Sequence, residues 1–75
     1  MKNIKILMSK AGELIAGLDS IEDIEDVHFS VRPYARDGYS NHSLIIFFKD
    51  DKNGNERESQ MYLFSVSKQE WELYR

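Results

Sequence analysis

Seventy-five residues with a formal charge of −3 and no cysteine exclude a second domain, a disulfide scaffold and any thiolate-bound metal. The composition, 41% hydrophobic and 31% charged, belongs to a folded chain, and the mild acidity argues against nucleic acid as the partner. A chain of this length buries only about 60–65% of its unfolded surface, so close packing or a partner chain must support a marginal core.

Nothing approaches the ~18–20 apolar residues of a membrane span, and Lys10 and Glu13 interrupt any signal-peptide core. A cytoplasmic protein with no membrane partner is expected. Asn41-His42-Ser43 matches a glycosylation sequon, but nothing else points to secretion.

From the N-terminus, Ile4, Leu7, Met8, Ala11, Leu14, Ile15 and Leu18 recur at spacings of three and four, which predicts an amphipathic helix over 3–18. Gly17 marks its exit. The competing reading makes Ile4 and Ile6 a short strand and starts a shorter helix at Ser9. Residues 19–26 follow as a connection holding Asp19, Glu22, Asp23, Glu25 and Asp26 with no base.

Val27, Phe29 and Val31 alternate with His28, Ser30 and Arg32, the period of a half-buried strand, and Pro33 places it at a sheet edge. Arg36-Asp37-Gly38 reads as a turn. Leu44-Ile45-Ile46-Phe47-Phe48 is continuous enough for a strand buried on both faces. Asn53-Gly54 is a hairpin-turn signal, leading into a strand over Glu58–Val66. Ser67-Lys68-Gln69-Glu70 fits either a helical capping box or a four-residue hairpin loop. With nine residues left, an isolated helix is marginal, so a final strand at Trp71-Glu72-Leu73-Tyr74 is preferred.

The expected fold is therefore α+β, one domain over 1–75, with an N-terminal amphipathic helix packed on a three- to four-stranded antiparallel β-meander. One helix covers one face. Val27, Phe29, Val31, Leu44, Ile46 and Phe48 are assigned to that face. Ile45, Phe47 and either Met61 with Leu63 or Tyr62 with Phe64 are left on the other, together with Tyr34 and Trp71. Surplus apolar surface of that kind marks an interaction site.

Catalytic patterns are missing. His28 and His42 have no metal-ligand spacing, no serine lies in a nucleophile elbow, and Gly12 and Gly17 lack the cation and magnesium ligand of a phosphate loop. No cofactor, metal or enzymatic activity is expected, the remote alternative being a small enzyme or small-molecule binder assembled without motifs beside His28 or His42. The acids of 19–26 read as a solvated charge run or as a docking surface for a basic partner. Arg32, Tyr34, Arg36, Phe47 and Lys49 offer a weaker alternative, single-stranded nucleic acid stacked on a sheet.

The function expected is a small binding module of the accessory, regulator or inhibitor kind. It would contact a protein partner, or a second copy of itself, through Arg32, Tyr34, Arg36, Ile45, Phe47 and Trp71, through the acidic segment, or through both.

Overall fold

The computed structural model describes residues 2–74. A helix, α1 (Lys2–Ala16), precedes a single 3-10 turn (Ile21–Asp23) and four strands, β1 (Ile24–Val31), β2 (Tyr39–Phe48), β3 (Gln60–Ser65) and β4 (Glu70–Leu73). The strands form one sheet in the order β1-β2-β3-β4, every neighbouring pair antiparallel. This is the α+β meander that the hydrophobic periodicities imply.

The helix ends where Gly17 offers its N–H to the carbonyls of Glu13 and Leu14 at 3.1 and 3.2 Å. Leu7 and Ala11 are buried on the sheet, flanked by half-buried Leu14, Ile15 and Leu18. Met8, assigned to the same stripe, is exposed. It lies about 100° around the helix from Leu7, at the margin of the packed stripe.

Register assigns the faces. Phe29, Leu44, Tyr62 and Leu73 form one row across the sheet, with Val27 opposite Ile46 and Phe64 opposite Trp71. This is the near face, which the helix covers. Leu44, Ile46, Tyr62, Phe64 and Trp71 are buried there with Leu7 and Ala11. Each fully buried aliphatic side chain contributes roughly 1.5–3 kcal/mol. Phe64 and Phe29 meet the Trp71 ring edge-on, at 5.3 and 5.9 Å between centroids.

Several expectations are corrected. Trp71, assigned to the uncovered face, is 6% exposed on the near face, because pairing of Phe64 with Trp71 fixes its side. Val31 has near-face parity but is 66% exposed, beyond the part of the sheet that the helix shields. The strand expected from Val27 begins at Ile24, so Glu25 and Asp26 belong to β1, where a bulge interrupts the register between Ile24 and Asp26. The strand expected from Leu44 starts at Tyr39, and the one expected from Glu58 starts at Gln60. Ile45 and Phe47 are half-buried, so on its far face β2 is sealed at Ser43 and left half-open at Ile45 and Phe47.

Two turns close on local chemistry. Gly54, at φ +81°, bonds back to the Asp51 carbonyl, while the Asp51 carboxylate accepts the N–H groups of Asn53 and Asn55 at 2.8 and 2.9 Å. Those bonds, the Asn55 N–H foremost, hold the Asp51 carboxyl below its ordinary range. Between β3 and β4 the hairpin reading holds: Gln69 donates its N–H to the Ser65 carbonyl at 2.9 Å and takes a left-handed φ of 56°.

Candidate functional site on the far face of the sheet

Alternation along each strand puts His28, Ile45 and Met61 in one far-face row and Ser43, Leu63 and Glu72 in the next. The helix lies against the other face. Met61 and Leu63 are thus the β3 pair that shares this side with Ile45 and Phe47, and Tyr62 with Phe64 go to the core.

The two ends of the far face differ. At the end near Phe47, the His28 ring sits 4.8 Å from the Phe47 ring at a tilt of 59°. His28 Nε2 is 2.9 Å from Asp26 Oδ2, and the other Asp26 oxygen accepts the Val27 N–H at 2.8 Å. The His28 contact, then the Val27 N–H, holds the Asp26 carboxyl below its usual range. Glu25, Asp26, His28 and Phe47 surround a shallow depression of about 280 Å³. Half-buried Ile45 and Met61 continue the apolar strip inward.

At the other end the surface is tied down. Tyr39 O–H donates to Glu72 at 2.6 Å, and Lys68 Nζ donates to the second Glu72 oxygen at 2.9 Å. The Arg36 guanidinium lies 5.4 Å from the centroid of Tyr74 and 5.9 Å from that of Tyr39. Leu63, on a face that no helix reaches, is nonetheless 2% exposed. Its neighbours in the same row, Ser43 and Glu72, are buried and half-buried.

Arg32 is pinned at the edge of this face. Its N–H donates to the Asn41 carbonyl at 2.6 Å, and Asn41 Nδ2 donates to the Arg32 carbonyl at 3.3 Å. The guanidinium Nε and Nη2 are enclosed and have no acceptor among the described residues.

The residues singled out from sequence are only partly brought together. Ile45, Phe47 and Arg32 share the far face, and Arg36 stacks at its tied-down end. Tyr34 is 82% exposed in the loop after β1. Trp71 lies on the opposite face, beneath the helix. The acidic run is divided: Asp19 and Glu22 are exposed before β1, Asp23 pairs with Arg57 at 3.3 Å, and Asp26 reaches the far face. Met61 and Leu63 are one of the two β3 pairs expected on this face, whereas His28, Tyr39, Glu72 and Tyr74 were not anticipated there. Period-two parity is their only sequence signal, and it becomes usable once pairing is known.

His28 and His42 fall on opposite faces, so they cannot share one site. A groove of about 310 Å³ runs beside His42, between α1 and the β3–β4 hairpin, with Ile6, Phe64, Val66 and Gln69 among its walls. Here His42 Nδ1 is 3.4 Å from Ser40 Oγ. No helix among the described residues is long and apolar enough to cross a membrane. Comparison with protein-family models, with curated proteins and with solved structures returns no match for this chain.

Proposed function

We propose that this chain is a non-enzymatic binding module that docks a protein partner on the open end of its far sheet face, around Ile45, Phe47 and Met61. The observation carrying this reading is that the single helix covers only the near face, which leaves that strip half-buried and rimmed by His28 and Asp26. An apolar centre with a polar rim is the anatomy of an interface. The same reading places the protein in the cytoplasm as an accessory, regulator or inhibitor.

Single-stranded nucleic acid receives less support. Phe47, the aromatic it would stack on, stands beside Glu25 and Asp26, whose carboxylates repel phosphate. The groove beside His42 favours one other reading, a small-molecule site. Among the described residues the His42 ring has one side-chain hydrogen-bond neighbour, Ser40, at a long 3.4 Å, which suits binding better than catalysis.

Partner capture from cells with three baits tests the proposal: Ile45→Asp and Phe47→Asp on the far face, and Met8→Asp on the helix. The two far-face substitutions should abolish capture of a partner that the wild-type and Met8→Asp chains retain. Capture that survives both far-face charges, or is lost equally in all three, removes the assignment.

A further inference from the structure

The outer side of β1 is the long unpaired edge of the sheet. Because Arg32 bonds inward to Asn41, His28 and Ser30 also bond inward. The N–H and C=O groups of Val27, Phe29 and Val31 therefore point away from β2. Among the described residues, the one outward N–H with a partner is that of Val27, held by Asp26. A bulge between Ile24 and Asp26 ends the regular edge on one side, and Pro33, which has no N–H, ends it on the other. The stretch left is 26–32, and Phe29 is its midpoint.

We propose that two copies of this chain join β1 to β1, antiparallel, about a two-fold axis through Phe29. Counting outward from that axis sets Val27 against the partner subunit's Val31 and Asp26 against the partner subunit's Arg32. Symmetry repeats each contact. Three observations meet in this register. Val31 is 66% exposed, and it gains an apolar neighbour on the near face. The Arg32 guanidinium, whose enclosed Nε and Nη2 have no acceptor among the described residues, gains a carboxylate once it turns outward. The pairing joins opposite charges, whereas moving the axis to His28 or Ser30 sets Arg32 against Ile24 or His28.

Asp26 acts as the latch of this edge. In the lone chain its carboxylate covers the Val27 N–H and blocks indiscriminate strand addition. In the pair the Val27 N–H passes to the carbonyl of the partner subunit's Val31, and the carboxylate turns to the guanidinium. The axis stands perpendicular to the sheet, so both helices stay on one side and the two far faces become one surface. This inference does not depend on the far-face function proposed above.

The test uses purified chain alone, which separates its failure from failure of partner capture. By sedimentation velocity the wild-type protein should dimerise in a concentration-dependent way. Asp26→Arg or Arg32→Asp should each weaken self-association at least about tenfold by setting like charges opposite one another. An equimolar mixture of the two variants should form a heterodimer, since each then meets its opposite charge. Hydrogen exchange on wild-type protein needs no variant: the amides of Phe29 and Val31 should become protected as concentration rises. A wild-type chain that stays monomeric at about millimolar concentration overturns the proposal. So does a dimer indifferent to both substitutions, a mixture that fails to associate, or exchange at Phe29 that ignores concentration.

Discussion

The indole Nε1 of Trp71 donates a 3.0 Å hydrogen bond to the backbone carbonyl of Leu7, linking two buried residues 64 positions apart. One ring thereby joins the first element of the chain to the last. It also fills the space between Phe64 and Phe29. In so small a domain, a tie between the termini of the fold controls whether the helix stays docked at all.

Two substitutions separate the parts of this contact. Trp71→Phe keeps an aromatic ring and removes the donor, at an expected cost of about 1–2 kcal/mol. Trp71→Ala also leaves a cavity, and about 3–5 kcal/mol is expected, enough to unfold much of the population. Urea titrations followed by far-UV circular dichroism read both. Equal costs for the two variants would mean that the hydrogen bond dominates and the ring contributes little.

Neighbouring residues of β2 provide a test of the face assignment. Ile46 is fully buried on the near face, and Ile46→Ala should cost about 2–5 kcal/mol. Phe47 is half-buried on the far face, and Phe47→Ala should cost about 1 kcal/mol despite deleting a larger side chain. A reversed order, measured by the same denaturation, would contradict the register.

Alternation, the Asn-Gly turn and the helical spacing made the element types legible, because each is a local rule. Pairing was not legible. The connection between β2 and β3 is longer than its Asn53-Gly54 turn requires, so the turn alone could not decide whether Tyr62 and Phe64 or Met61 and Leu63 face the helix. Trp71 was misplaced for the same reason: its side follows from the partner strand, not from its own segment. Asp26 was read as part of a solvated acidic connection, since a bulge at Ile24 and Asp26 leaves no sequence mark. Ile45 and Phe47 were legible from alternation along the apolar run of β2 set against a single covering helix, and their half-burial is fixed only once the sheet is assembled.

Acid should destabilise the protein through a defined set of carboxylates. Glu72 is held below its usual range by the Tyr39 hydroxyl first and Lys68 second, and Asp26 and Asp51 are lowered by their own hydrogen bonds. A carboxyl lowered on folding stabilises above its unfolded value, and that stabilisation is lost as pH falls toward its folded value. Stability should therefore decline below the ordinary carboxyl values of 4.5 and 3.8. Tyr39 is raised, chiefly by its bond to Glu72, so its contribution is present at neutral pH and is lost only in strong alkali. Tyr39→Phe should flatten the acid limb and lower the neutral plateau, because Glu72 loses its first hydrogen-bond donor. Thermal melts across the acid range measure this, and an acid limb of unchanged steepness would remove Glu72 from the set.

Gln69 is the one residue other than glycine with a positive φ among those described, 56°, in the loop between β3 and β4. A side chain there costs about 1 kcal/mol relative to glycine. The wild-type side chain recovers part of this by donating Nε2 to the exposed Val66 carbonyl at 2.6 Å, a solvent-competed bond of modest worth. Gln69→Gly should therefore raise the melting temperature by a few degrees, since about 1 kcal/mol corresponds to roughly 4–8 °C in a domain of this size. Gln69→Val, which combines β-branching with the left-handed backbone, should lower it. A melting temperature that falls for both would show that the Val66 bond, rather than backbone strain, governs this turn.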